Sequence, residues 1–170
     1  MHNRNRIRYW THAAIIAALY AVLTHLQNLI LPGSASWAIQ CRLSEALGIL
    51  ALFTPAAIPG LAMGCLVFNL TFAAALPLDF LVGTAATALA AAAMWKLRSV
   101  LVLGFPLPAL LMPSLTNAIL VGWELSVYIG GAFWLNAWYV AMGELIVMLV
   151  FGTLLYHAMK RRHLDQRLFG

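Results

Sequence analysis

Apolar residues occur along this chain in long continuous blocks. Six blocks, separated by short runs rich in proline, glycine or charge, cover residues 13–31, 41–53, 58–76, 80–95, 109–129 and 134–157. A bilayer core of about 30 Å needs about 20 apolar residues per helix, so six short-looped spans occupy a chain of 170 residues. The pattern predicts an all-α integral membrane protein with six transmembrane helices in a single domain, residues 1–170.

The composition indicates the same class of protein. Hydrophobic residues make up 64% of the chain and charged residues 9%, and the mean hydropathy is +0.90. Soluble domains are far less apolar. A signal peptide is the rival interpretation of the first block, because a basic start and the small residues 33–36 imitate a cleavage site. The length of the block and its late polar residues favour a span.

The basic residues indicate the orientation. They cluster at the predicted helix ends: Arg4, Arg6, Arg8; Lys96, Arg98; Lys160, Arg161, Arg162, Arg167. With six spans, both termini and the connector 96–108 lie on one side, and of the ten Lys and Arg residues only Arg42 lies elsewhere. The positive-inside rule places that side in the cytoplasm. The net charge of +5 is therefore explained by the membrane rather than by a nucleic acid.

Arg42 and Glu45 open the second block with opposite charges three residues apart, which places them on one face of a helix. A charge at the bilayer centre costs roughly 2.5–3.5 kcal/mol, so the two side chains need each other, water or a ligand. The pair predicts a functional site; a purely structural pair that locks the second helix is the alternative.

The other polar residues of the blocks lie at a similar depth. Counted at about 1.5 Å per residue, they all fall in the outer half of the predicted bilayer: His25, Gln27, Asn28, Asn69, Asp79, Asn117, Glu124, Tyr128, Asn136, Tyr139 and Glu144. Asn117, Val121, Glu124 and Tyr128 share one helix face. We expect one polar cavity open to the outside, in which carboxylates outnumber Arg42 and ligands with several donors or a positive charge bind.

Structural explanations compete for some of these residues. Asn69 and Asn117 are also typical of hydrogen bonds between membrane helices. Asp79 is more simply an N-cap, and outer Trp and Tyr residues are commonly interfacial anchors. On the first helix, Ala14, Ala17, Ala18 and Ala21 form stripes of small residues where another helix can approach closely.

Several classes of activity are disfavoured. The chain has no Gly-x-x-x-x-Gly-Lys-Ser/Thr motif, so it cannot hydrolyse ATP alone. A membrane hydrolase is disfavoured because the outer polar residues include no convincing Ser–His pair. Cys41 and Cys65 are predicted to lie about 9 Å apart along the helix axes, which makes a disulfide unlikely. We expect a transport subunit rather than an enzyme, with no cofactor and no metal.

The sequence resembles a known family at several positions. The motifs are Gln40-x-Arg42-x-Ser44-Glu45-Ala46-Leu47, the segment Phe53 to Leu61, Gly64-Cys65, Asn69, Leu78-Asp79, Gly83-Thr84, Thr87, the segment Asn117 to Gly122, and the segment Gly143 to Val147. Together they resemble the QueT family of queuosine-precursor transporters, which are substrate-binding S-components of energy-coupling factor (ECF) transporters.

The resemblance implies a six-helix S-component bundle in the cytoplasmic membrane of a prokaryote. It implies an outward-facing site for a 7-deazaguanine, such as the 7-cyano form, the 7-aminomethyl form or queuine. It also implies a transmembrane coupling protein and two cytoplasmic ATPases as partners, with the alanines of the first helix as the docking surface for the coupling protein. Transport would follow when the loaded subunit topples against that protein.

The resemblance also suggests roles for individual residues, with Glu45 in the same site. The expected contacts are Glu124 and Glu144 with the donor edge or the amine, Arg42 or Gln40 with the carbonyl, Asn69 and Asn117 with the remaining ring edges, and Trp134 or Tyr128 with the ring face. Two alternatives stay open: an S-component for another vitamin such as thiamine, and a proton-coupled secondary transporter of a small basic or heteroaromatic solute.

Overall fold

The computed structural model describes residues 2–32, 34, 41–72 and 75–169, and helices form nearly all of its regular structure. The elements are α1 (His2–Ile30), a 3₁₀ helix (Leu43–Leu52), α2 (Ala57–Thr71), α3 (Asp79–Leu97), α4 (Leu107–Leu110), α5 (Met112–Tyr128), α6 (Phe133–Val147), a π-helical turn (Met148–Gly152), α7 (Thr153–Arg161) and α8 (Leu164–Phe169). No β-strand forms within these ranges, which confirms the all-α prediction.

Four helical segments are long and apolar enough to cross a bilayer. They are Asn3–Ile30, Asp79–Leu97, Leu107–Tyr128 and Phe133–Arg161. The last of these is continuous from α6 through the π-helical turn into α7. The chain is thus a multi-pass membrane protein, as predicted, while the two remaining apolar helices, Leu43–Leu52 and Ala57–Thr71, are shorter than a full span.

The second apolar block differs from the α-helix that the periodicity predicted over residues 41–53. It forms a 3₁₀ helix that begins only at Leu43, and Arg42 precedes it with an extended backbone, φ −79° and ψ 106°. Ten residues at about 2.0 Å each span only about 20 Å. The segment is almost wholly buried, so its neighbours in the bundle stabilise it where hydrogen-bond geometry alone would not.

The two chain ends meet at one end of the bundle. The Arg8 guanidinium donates to the Leu168 carbonyl at 3.0 Å, and the rings of His12 and Phe169 contact each other with centroids 5.2 Å apart. The connector after α3 lies at the same end, because Phe105 stacks on His157 with centroids 5.9 Å apart. The side of the membrane on which this end of the bundle lies stays a prediction.

Close helix packing depends on glycine, as two of the helix crossings show. A Cβ added to Gly64 would lie 2.6 Å from Tyr20 Cβ and 2.8 Å from the Ala17 carbonyl oxygen, so α1 and α2 touch here through their backbones. A Cβ on Gly122 would lie 2.8 Å from Ala137 Cα, which joins α5 to α6 in the same way. Glycine at a helix crossing is the usual means of close approach in membranes.

The cysteines behave as predicted. Cys41 and Cys65 are both free thiols, and Cys65 is buried.

Candidate functional site

Three polar side chains of α1 join it to the start of the 3₁₀ helix. The Tyr20 hydroxyl donates to Glu45 Oε1, and Thr24 Oγ1 donates to Ser44 Oγ at 2.7 Å. These contacts lie inside the bundle, where both donors are fully buried.

Gln27, about one turn further along α1, is the third of these polar side chains. Its amide nitrogen donates to the Cys41 carbonyl at 2.5 Å and to Ser34 Oγ at 3.0 Å. Its oxygen accepts from the Leu43 amide at 2.7 Å. Gln27 thereby holds the backbone on both sides of Arg42 and fixes where that side chain enters the bundle.

Arg42 is buried, with 5% of its surface exposed. Its guanidinium carbon lies 5.5 Å from the centre of the Phe68 ring, and Nη1 is 4.0 Å from Cys65 Sγ. The Glu45 amide donates to the Arg42 carbonyl at 3.0 Å. Arg42 and Glu45, the predicted pair, are therefore joined by a backbone hydrogen bond in the first turn of a 3₁₀ helix. They do not share one face of an α-helix.

Four buried carboxyl groups lie within electrostatic range of this guanidinium. The chain has five acidic residues, and four of them are at most 6% exposed; we call these the acidic cluster: Glu45, Asp79, Glu124 and Glu144. Each interacts electrostatically with Arg42. One of the four follows Arg42 in the 3₁₀ helix, and the other three belong to α3, α5 and α6. Buried carboxyl groups thus outnumber Arg42 here, as the sequence led us to expect.

Asp79 and Glu124 interact electrostatically within the acidic cluster. Asp79 also acts near the start of α3, where Oδ2 accepts from the Leu76 amide at 3.4 Å. Asp79 is the first residue of α3, and the N-cap is Leu78 with no side-chain capping bond, so the N-cap interpretation of Asp79 is wrong. The structure instead places Asp79 in the acidic cluster, together with other polar residues that the sequence put at one depth.

The two asparagines each hold neighbouring elements together. Asn69 Nδ2 donates to the Asp79 carbonyl at 2.8 Å, and Asn117 Nδ2 donates to Glu144 Oε1 at 2.8 Å. The first bond joins α2 to α3 and the second joins α5 to α6. Hydrogen bonding between helices, which the sequence left as an alternative for both residues, is therefore confirmed, and it places both amides at the acidic cluster.

Several buried atoms of the site have no hydrogen-bond partner among the described residues. They are both carboxyl oxygens of Glu124, Oε2 of Glu144, Oδ1 of Asn69 and the hydroxyl of Thr84. All but the hydroxyl are pure acceptors when the carboxyls are ionised. Buried polar groups are normally satisfied, so these atoms are the least satisfied part of the acidic cluster.

Two predicted ring-stacking residues lie away from the buried cluster. Tyr128, at the end of α5, is 40% exposed, and Trp134 is 80% exposed. On α5, Asn117, Val121 and Glu124 are buried, so Tyr128 alone departs from the expected common face. Stacking by Trp134 or Tyr128 stays a prediction, as does the role of Gln40, which lies outside the described residues.

The alanines of α1 divide between two environments. Ala14 and Ala18 are exposed, Ala17 is half-buried and Ala21 is buried. The exposed pair lines a groove of about 850 Å³ together with Ile15, Trp10 and neighbouring side chains of the same helix. Only Ala14 and Ala18 are therefore open to a partner, whereas Ala17 packs against Gly64 of α2.

Tyr20 is a residue of α1 beside the acidic cluster that the sequence-based selection missed. It is fully buried and contacts Glu45. A signal was present, because Tyr20, Thr24 and Gln27 follow the i, i+4, i+7 spacing of one helix face. Polar residues that share a stripe within an apolar block would have placed Tyr20 beside the site.

The fold and the site define a class of protein: a helical, multi-pass membrane protein with a buried acidic cluster in which several hydrogen-bond acceptors have no partner among the described residues. Comparison with known families identifies it further. A model of the QueT transporter family matches residues 10–161, so the chain belongs to the QueT transporter family and has a transport role. Comparisons with curated proteins and with solved structures gave no match.

Proposed function

We propose that this protein is the substrate-capture subunit (S-component) of an ECF-type importer for a queuosine precursor. It binds a 7-deazaguanine, such as the 7-cyano form, the 7-aminomethyl form or queuine, and delivers it inward when docked on a transmembrane coupling protein that two cytoplasmic ATPases drive. The observation that carries this proposal is the set of unpartnered acceptors on Glu124, Glu144 and Asn69 around Arg42.

The hydrogen-bonding pattern of a deazaguanine complements this set. Its ring N–H and adjacent amino group form a two-donor edge that one carboxylate accepts in parallel. Glu124 suits that edge, because it is fully buried and neither of its oxygens has a partner in the described structure. An aminomethyl group would add a cation to a site where acidic groups outnumber Arg42.

The remaining groups have consistent roles. Arg42, with a guanidinium that only donates, serves the ring carbonyl, together with Gln40 as the second candidate. Glu144 Oε2 and Asn69 Oδ1 accept the remaining ring donors or the amine. Asn117 positions Glu144 through its 2.8 Å hydrogen bond. Glu45 offsets the positive charge of Arg42, and the Tyr20 hydroxyl holds the Glu45 carboxyl in place.

Delivery requires an energy source outside this chain, because no phosphate-binding loop motif is present in the sequence. The exposed face of α1 supports docking on a coupling protein, since Ala14 and Ala18 line an open groove and small residues permit close helix contact. In this proposal both termini are cytoplasmic, six helical segments form the bundle, and toppling of the loaded subunit exposes the site to the cytoplasm.

Isothermal titration calorimetry of the full chain in detergent tests the capture step. The ligands are 7-cyano- and 7-aminomethyl-7-deazaguanine and queuine, with guanine and thiamine as comparisons. Tight binding of a deazaguanine by the isolated chain supports the proposal. Binding of thiamine instead would move the protein to another vitamin, and binding of none of these ligands would overturn the proposal.

A proton-coupled carrier is a second candidate, and the interacting carboxyls of Asp79 and Glu124 favour it. Uptake into proteoliposomes that contain this chain alone distinguishes the two. Accumulation that follows an imposed proton gradient supports the carrier. Accumulation only after addition of the coupling protein, the ATPases and ATP supports the S-component.

A further inference from the structure

The short helix α8 lies between two features that the transport site does not use. One is a basic pocket of about 460 Å³, which Arg161, Arg162, His163 and Arg167 line. The other is an apolar cavity of about 330 Å³ between α1, the 3₁₀ helix, α7 and α8. Six of the residues that line the cavity are Ile15, Leu19, Leu47, Leu50, Leu155 and Leu168.

The positive charges of the basic pocket are not neutralised by neighbouring carboxylates among the described residues. The guanidinium groups of Arg161, Arg162 and Arg167 are exposed and make no hydrogen bond or ion pair within the described part of the chain. The nearby carboxylate of Asp165 is already engaged, because Lys160 Nζ donates to its Oδ2 at 2.9 Å. That hydrogen bond lowers the pKa of Asp165, so its ion pair with Lys160 persists at neutral pH.

The two pockets are joined through α8 itself. Arg167 lines the basic pocket and its neighbour Leu168 lines the apolar cavity. Leu164 borders the basic pocket and packs on the apolar core. Arg8 fixes this end of α8 to α1 through the Leu168 carbonyl. A cationic pocket therefore opens beside an apolar cavity at the end of the last membrane span.

We propose that α8 and the adjoining ends of α1 and α7 form a binding site for an anionic phospholipid. The phosphate binds Arg161, Arg162 and Arg167, and one acyl chain occupies the apolar cavity beneath Leu168. Clustered arginines at the end of a membrane helix favour acidic headgroups, and an apolar cavity is filled most favourably by hydrocarbon. This site is separate from the acidic cluster and does not depend on the proposed substrate.

Native mass spectrometry of the full chain in a neutral detergent tests the headgroup part. We expect dioleoylphosphatidylglycerol to bind more tightly than dioleoylphosphatidylcholine, and the Arg161→Gln/Arg162→Gln/Arg167→Gln variant to lose roughly 100-fold in affinity for the anionic lipid. The matched control, Arg4→Gln/Arg6→Gln/Lys96→Gln, removes the same charge from elsewhere and should lose no more than about threefold.

Equal binding of the two lipids, or equal losses in the two triple variants, would overturn the proposal. Competition by inorganic phosphate that displaces all of the lipid would also overturn it, because the site would then recognise only an anion.

A second pair of variants tests the acyl part without touching the arginines. Leu19→Phe narrows the cavity from its exposed side, and we expect it to weaken dioleoylphosphatidylglycerol about tenfold while short-chain dihexanoylphosphatidylglycerol is unaffected. Leu26→Phe is the control, since Leu26 is similarly exposed on α1. The same loss for both chain lengths, or in both variants, would show that no acyl chain enters the cavity and would overturn this part of the site.

Discussion

The hydroxyl of Tyr20 donates to Oε1 of Glu45 in the interior of the bundle, where Tyr20 is fully buried and Glu45 is 4% exposed. This bond joins the middle of α1 to the first turn of the 3₁₀ helix. Glu45 is also an electrostatic neighbour of Arg42 and of Glu144. Tyr20 therefore anchors one side of the acidic cluster although it contributes no charge.

Replacement of Tyr20 by phenylalanine should lower the free energy of unfolding by about 1–3 kcal/mol. The change removes a donor and leaves a buried carboxyl oxygen without its partner. Thermal unfolding in detergent measures the effect. Tyr9→Phe is the control, because the Tyr9 hydroxyl makes only a 3.4 Å contact with the Pro55 carbonyl. Equal stability of the two variants would show that the Tyr20–Glu45 bond contributes nothing.

Replacement of Glu124 by glutamine should separate binding from folding. Neither oxygen of Glu124 bonds another described residue, so the folded state should keep its stability or gain from the loss of electrostatic repulsion with Asp79. Affinity for a deazaguanine should fall about tenfold or more, since a charge-assisted pair of hydrogen bonds is lost.

Calorimetry of Glu124→Gln and Glu144→Gln beside Asp165→Asn provides the comparison. The last variant removes a carboxylate from an exposed ion pair outside the cluster. If both glutamine variants bind the ligand as tightly as the natural chain does, the proposed substrate contacts are wrong.

Replacement of Gly64 by alanine should separate α1 from α2 and disturb the site indirectly. The new methyl group would meet Tyr20 Cβ at 2.6 Å and the Ala17 carbonyl at 2.8 Å, and backbone cannot yield cheaply. We expect a loss of about 1–3 kcal/mol in unfolding free energy.

Gly48→Ala is the matched control for this variant. A Cβ there meets only the flexible side chains of Met94 and Met148, at 3.5 Å and beyond. Stability should change by less than about 1 kcal/mol, because glycine in a helix is itself mildly unfavourable. A thermal melt that ranks the two variants in the opposite order would contradict the described α1–α2 contact.

Replacement of Gln27 by leucine should loosen the backbone around Arg42. It removes the bonds to the Cys41 carbonyl and the Leu43 amide. Maleimide labelling reports the local effect: Cys41, partly exposed, should react faster, whereas buried Cys65 should not. His25→Leu is the control, because His25 bonds Thr71 instead. Unchanged labelling of Cys41 in Gln27→Leu would show that Gln27 does not hold this segment.

Much of the architecture follows from local sequence. The length of each apolar block sets how many helices can cross a bilayer, so the blocks over residues 80–95, 109–129 and 134–157 correspond to the long apolar helices of the structure. The burial of Arg42, Glu124 and Glu144 fits their positions within or beside apolar blocks, whereas their depth in the bilayer stays a prediction.

The sequence alone determined that the protein is a helical membrane protein with an excess of carboxyl groups in its interior, since charge and hydropathy belong to individual residues. Tertiary structure decided the rest. Three outcomes depend on contacts between distant segments: whether residues 41–53 form an α-helix or a 3₁₀ helix, whether Asp79 caps α3 or joins the acidic cluster, and whether Tyr128 and Trp134 face the site. Periodicity along one helix carries no information about which partner its face will meet.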